Sequence, residues 1–228
     1  MSDLAQPFFV TPAGRQEMDL ETVGQAARRY LEQKHAARER ALPKSRAAIR
    51  CCANSIRASH RQDFSSAAQL LQQAEGLLAE MRADLRDHLD IYYAGFVEDA
   101  QKEFAEASLT CAFIQQQPLP LPDALRVEWA PYLNGLGEAV GELRRSILDR
   151  MRQGKLEGCE QLLQQMDDVY LLLTTLDFPD AITGNLRRTT DSVRGILEKT
   201  RGDLAVAARQ TQLAETMARL ETRLSAEH

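Results

Sequence analysis

An all-α bundle is the fold class the sequence predicts, on three grounds. Helix-forming residues dominate, while Gly and Pro number only 12 and 8 in 228 residues, a balance that favours long helices over turns. Apolar residues recur every three or four positions, most clearly at Ala67, Leu70, Leu71, Ala74, Leu77, Leu78, Met81 and Leu85. No strand-like alternation of useful length is present, and no internal repeat. With 44% hydrophobic residues the chain can bury a core without disulfides or structural metals. Its length predicts one helical domain over 18–228, preceded by a loose arm over 1–17 where Pro7, Pro12 and Gly14 occur without periodicity.

The elements follow in order. A helical stripe begins at Asp19 and carries Val23, Ala26, Ala27, Tyr30 and Leu31. Pro43 is expected to bend or restart it, with Ser45 capping a second stretch through Ile49, Cys52, Ile56 and Ser59. Asp63 then precedes the strong leucine-rich stripe, and a further helix is expected from Asp90 to Gln116. Four prolines between Gln117 and Pro131 predict a loop enclosing one short helix. Helices are expected from Tyr132 to Gln153 and from Glu157 to Leu176, ended by Gly154 and by the turn at Asp177–Asp180. The last helix starts near Thr183. Its apolar positions are spaced by three, four and seven and thin out past Leu204, a pattern that fits either coiled-coil-like contact with a second subunit or packing on its own core.

Several function classes are disfavoured. No stretch approaches the roughly 20 apolar residues of a membrane span, and Met1 to Arg15 lack the pattern of a secretory signal, so a cytoplasmic protein is expected. Cys51, Cys52, Cys111 and Cys159 have no zinc-knuckle spacing and read as small apolar core residues. The four histidines are scattered, so no zinc site is expected. A net charge of −5 argues against nucleic-acid binding by overall positive charge. Lysine occurs only at 34, 44, 102, 155 and 199, so arginine supplies most of the cations. Its planar fork suits phosphates, although a codon preference for arginine explains the bias equally well.

Two acidic pairs could carry chemistry. Glu103 and Glu106 lie three apart and share one helix face. That face is apolar: Phe96, Phe104, Cys111, Phe113 and Ile114 surround the pair on a helical wheel. Carboxylates set in apolar surface are costly unless a cation or a proton neutralises them. Glu138 and Glu142, four apart, stand among Gly135, Gly137, Ala139 and Gly141. Glycines inside a helix cost stability, so this density predicts close approach of another helix or of a ligand. Facing pairs of carboxylates could hold one or two Mg²⁺ ions, which take oxygen ligands and activate water for phosphodiester hydrolysis. A purely structural role for either pair is the alternative. A di-iron site is disfavoured, because neither pair has the histidine three residues on that such sites use.

Four stretches carry a resemblance to a known family: IRCCANSIRASHRQDF (49–64), KEFAEASLTCAFI (102–114), YLNGLGEAVGELRR (132–145) and LLLTTLDFPDAITGNLRRTTDSVRGILEKTRGDL (171–204). Together they resemble the translin family, in particular the translin-associated factor X branch with its archaeal and bacterial relatives. The resemblance implies a seven-helix bundle assembled into a closed, hollow homo-oligomer, octameric or hexameric. It further implies a Mg²⁺-dependent endoribonuclease acting on single-stranded RNA, and on single-stranded DNA as a second substrate class, with Mn²⁺ as a substitute metal. Glu103, Glu106, Glu138 and Glu142 match the acidic cluster of the nuclease branch. Glu138 stands where that pattern usually has Asp, which shifts a ligand by one methylene.

Family members hold RNA through basic residues on their inner surface. Here Arg46, Arg50, Arg57, His60 and Arg61 are the matching candidates for phosphate contacts. A solvated polar face, or Arg–Glu pairing within the bundle, would produce the same pattern. No aromatic residues interleave with them, so no base-stacking platform is visible and weak sequence preference is expected. Two further functional readings remain beside the nuclease. One is an oligomer that binds single-stranded RNA or DNA without cutting it, and the other is a bundle whose C-terminal helix mediates protein partnership.

Overall fold

The structure, a computed structural model, describes residues 20–226. Among these, six long helices are joined with three single-turn ones: α1 (Leu20–His60), α2 (Phe64–Leu85), α3 (Leu89–Tyr92), α4 (Phe96–Gln115), α5 (Pro122–Leu125), α6 (Trp129–Arg152), α7 (Cys159–Thr174), α8 (Asp180–Thr183) and α9 (Leu186–Ala226). The arm expected over 1–17 lies outside the described residues. No described helix is long and apolar enough to cross a membrane.

Helix α4 forms the centre. It packs on α1 and α2 on one side and on α6 on the other, while α6 packs in turn on α7 and α9. Twelve of its twenty residues are buried, among them Val97, Phe104, Leu109 and Phe113, which is why its sequence is apolar nearly all round. The leucine-rich stripe of α2 turns inward as expected, with Ala67, Ala74, Leu78, Met81 and Leu85 buried. Asp63 caps that helix by accepting a 3.1 Å hydrogen bond from the Ser66 backbone N–H. The cysteines are all free thiols, and Cys52, Cys111 and Cys159 are buried.

Two boundaries differ from the sequence reading. Helix α1 continues through Pro43 without restarting, although the proline costs it the hydrogen bond to the Glu39 carbonyl. Pro43 is exposed, so water can satisfy that carbonyl. Ser45 is accordingly no cap: it is buried, and its hydroxyl donates to the Phe96 carbonyl at 2.9 Å, tying α1 to the start of α4. The helix expected from Asp90 onward is broken at 93–95, where Gly95 adopts φ +96°, a conformation that glycine takes without steric cost.

Both 41-residue helices extend past the packed body. The first buried residue of α1 is Ala37, and the last of α9 is Leu204. Beyond those points Val23, Tyr30 and Leu31 on α1, and Leu213, Met217, Leu220 and Leu224 on α9, are all exposed.

Candidate metal centre

The geometry of the site starts at a glycine. A Cβ on Gly135 of α6 would lie 2.6 Å from the Lys102 carbonyl oxygen and 2.9 Å from the Glu106 nitrogen of α4. The two backbones therefore touch where they cross, as the glycine density of α6 predicted. Gly137 is likewise a contact point, against Thr189 of α9, whereas Gly141 faces open space. The α4–α6 contact brings carboxylates from both helices together. Glu103, Glu106 and Glu138 can each offer an oxygen such that the three lie within 4.8 Å of one another. All three are half-buried.

Their electrostatics differ. Burial raises the pKa of Glu106 to about 8, reinforced by the charges of Glu103, Glu138 and Glu142 and only partly relieved by Lys102. Burial also raises Glu103, with Lys102 opposing and Glu138 and Asp99 adding to the rise. No ion pair reaches either residue among the described residues. Glu138 does have a cation: its Oε1 accepts from the Lys102 Nζ at 2.8 Å. Cys52 of α1 lies near enough that Glu103 and Glu106 help burial push its thiol upward, so it is an inert thiol rather than a nucleophile.

Glu142, the fourth carboxylate expected in the cluster, is committed elsewhere. It bonds the His60 Nε2 and pairs with Arg145 at 3.5 Å. The bond from His60 holds its carboxyl below the usual range, with the charges of His60 and Arg145 acting the same way against its burial. The other ring nitrogen of His60 meets the Ser146 hydroxyl at 3.2 Å. His60 thus fastens the end of α1 to α6 instead of standing free among the arginines. Arg46, Arg50 and Arg57 fall on one stripe of α1, within roughly 40° on a helical wheel, and are exposed, as is Arg61 in the turn that follows. Arg57 donates to Asn54 at 2.6 Å.

A groove of about 620 Å³ opens on the cluster between α4, α6 and the start of α9. Glu98, Asp99, Glu106 and Glu138 line it against only two cations, Lys102 and Arg188. Asn134, one turn before Glu138 on α6, ties that helix to α8 and α9: its amide donates to the Ala130 and Thr183 carbonyls and accepts from the Thr189 hydroxyl at 2.6 Å. Sequence reasoning found none of Lys102, Asn134 or Arg188. The one available signal was Lys102, a rare lysine placed directly before an acidic pair.

The donor set suits a hard divalent cation. Three carboxylates with no soft ligand match Mg²⁺ or Mn²⁺ rather than Zn²⁺, and an ammonium already stands beside one of them. Fold and site thus define a helical bundle with a three-carboxylate centre, two of whose members, Glu106 and Glu138, line a polar groove.

Comparison with known proteins gives the family. The chain is 31% identical over 203 residues to an uncharacterized protein of Methanocaldococcus jannaschii, covering 87% of this chain and 88% of that one. It is 32% identical to AfC3PO, with a TM-score of 0.74 over 82% of this chain and 97% of that one. AfC3PO in complex with duplex RNA matches at a TM-score of 0.73, with the same identity, over 82% of this chain and 96% of that one. Apo-NeC3PO, at 20% identity and a TM-score of 0.72 over 85% of this chain and all of that one, shares the fold. No protein-family model matches the chain. The chain belongs to the translin-like (C3PO) family of archaeal and bacterial proteins.

Proposed function

We propose that this protein is a divalent-metal-dependent endoribonuclease of the cytoplasm, hydrolysing single-stranded RNA, and single-stranded DNA as a second substrate class, inside a hollow homo-oligomer. The observation that carries the reading is the clustering of Glu103, Glu106 and Glu138 within 4.8 Å, with two of the three lacking any cationic partner among the described residues. Ionising all three half-buried carboxyls together is costly unless a cation joins them. Mg²⁺ or Mn²⁺ bound there would polarise the scissile phosphate and lower the pKa of a water.

The chain's own residues supply the rest. Glu103, Glu106 and Glu138 offer oxygens from two helices whose separation is set by backbone contact at Gly135. Glu142, steadied by His60 and Arg145, adds negative charge beside them. Arg46, Arg50, Arg57 and Arg61 present exposed guanidiniums for the RNA backbone. The four acidic residues lining the groove against two cations disfavour phosphate entry without a metal. The AfC3PO complex with duplex RNA supports RNA as the ligand class and argues for assaying duplex as well as single strands. The exposed apolar positions of α9, spaced four, three and four, support self-association, and eight or six copies is the number the family resemblance implies.

The deciding experiment is cleavage of a labelled single-stranded RNA by purified protein in Mg²⁺ and in EDTA, beside Glu106→Gln. Cleavage that needs Mg²⁺ and vanishes in the variant is the expected result. Cleavage that survives the substitution would remove the site. Binding without cleavage in any divalent metal would leave an RNA-binding oligomer that does not cut.

A further inference from the structure

Lys102 is the single cation among the described residues within ion-pair distance of the three-carboxylate group. It stands one turn before Glu106 on α4, so both side chains line the same groove. Its ammonium lies 2.8 Å from Glu138, and the charges of Glu103 and Asp99 act on it as well. A divalent ion drawn to these carboxylates needs an oxygen of Glu138. An ammonium and a divalent ion crowded onto one carboxylate repel each other strongly in a partly desolvated site. One must yield. The lysine stem is long and flexible, and Glu98 and Asp99 line the same groove, with the Asp99 charge already acting on the ammonium, so it can leave Glu138 without losing every carboxylate.

We propose that Lys102 is an internal competitor for the divalent ion. It holds Glu138 in the metal-free protein, releases that carboxylate when the ion enters, and then presents its ammonium to an RNA phosphate in the groove. Metal loading and RNA grip are coupled through one side chain, so the groove gains a phosphate contact only when it is charged for reaction. The inference rests on the divalent-ion reading above and assigns Lys102 a positioning role within it.

The test uses the full chain and two measurements. Mn²⁺ is titrated calorimetrically into wild type, Lys102→Gln, Lys102→Arg and Glu106→Gln, each checked for helicity by circular dichroism. Binding of a phosphorothioate-linked single-stranded RNA, which resists hydrolysis, is then measured in Mn²⁺ and in EDTA. Lys102→Gln should tighten Mn²⁺ binding by about threefold to tenfold, and Lys102→Arg should bind Mn²⁺ like wild type. In Mn²⁺ the Gln variant should bind RNA several-fold more weakly, with no change in EDTA. Mn²⁺ affinity in Lys102→Gln equal to or below wild type, while Glu106→Gln abolishes binding, would overturn the role of Lys102 alone. An RNA defect of the same size in EDTA would also overturn it. Mn²⁺ binding that neither Lys102→Gln nor Glu106→Gln alters would overturn the divalent-ion reading with it.

Discussion

Glu106 and Glu142 are half-buried carboxylates on facing helices, and the structure treats them in opposite ways. Glu142 sits between His60 and Arg145 and is held below the usual carboxylate range. Glu106 has no such partner, and burial together with three neighbouring carboxylates pushes it up to about 8. One end of the acidic region is internally neutralised and the other is left in deficit. The difference teaches where a ligand belongs. A fold that could satisfy Glu142 with a histidine 82 residues away has left Glu106 without a cationic partner, and a carboxyl with so perturbed a pKa marks a place where function uses it.

Glu106→Gln should have the largest effect, lowering Mg²⁺-dependent cleavage by about 100-fold or more. The same variant should be more stable than wild type in EDTA at alkaline pH. Because the folded pKa of Glu106 is raised, its contribution to stability is present below the unfolded value of 4.5 and lost as pH rises towards 8. A thermal unfolding series from pH 5 to pH 9 should therefore show the two proteins diverging upward, by roughly 2 kcal/mol at the alkaline end. Parallel curves would mean that Glu106 is not desolvated.

His60→Ala should act in the reverse sense, destabilising the fold by about 2 to 3 kcal/mol, because Glu142 then stays half-buried without its hydrogen bond. Glu142 has a lowered pKa, so its contribution is present above 4.5 and lost as pH falls through the folded value. The penalty of His60→Ala, read by urea unfolding, should shrink below that point.

Two glycines of α6 sharpen the contrast between packed and open positions. Gly135→Ala should cost about 1 to 3 kcal/mol and weaken Mn²⁺ binding, since its methyl group meets the α4 backbone. Gly141→Ala, with nothing within 4 Å, should stabilise the helix by up to about 1 kcal/mol. Equal Tm shifts for the two would deny the close crossing. The smallest effects belong to Arg46→Ala and Arg50→Ala. Each should weaken RNA binding uniformly across sequences and lower the salt slope by about one unit. A change in sequence preference instead would mean that these side chains read bases.

Local pattern made much of this legible. The stripe of α2, the apolar face around Glu103 and Glu106, and the glycine density of α6 each follow from helical spacing, and each marks a real contact. Cys52, Cys111 and Cys159 are buried as small core residues, as expected, whereas Cys51 is only half-buried. What spacing does not encode is pairing across the chain. The Lys102–Glu138 bond spans 36 residues, and the engagement of His60 with Glu142 removes it from the basic stripe to which its position had assigned it. Pro43 misled for a related reason. A proline on the solvent face of a long packed helix loses one hydrogen bond, and the tertiary contacts of Ala41, Ser45 and Ala48 outweigh that loss. The break at 93–95 rests on one residue at positive φ, and a glycine in an apolar stretch does not announce it.

The missing side chain at Gly135 has a mechanical consequence. Where helices meet through interlocking side chains, rotamer fluctuation lets them slide by fractions of an ångström. At this crossing main chain rests on main chain, with the Lys102 carbonyl and the Glu106 amide directly opposite. The gap between the two helices is thus gauged by van der Waals contact of main-chain atoms, and warming the core should loosen the surroundings of the carboxylate trio before it loosens the spacing of the helices that carry it.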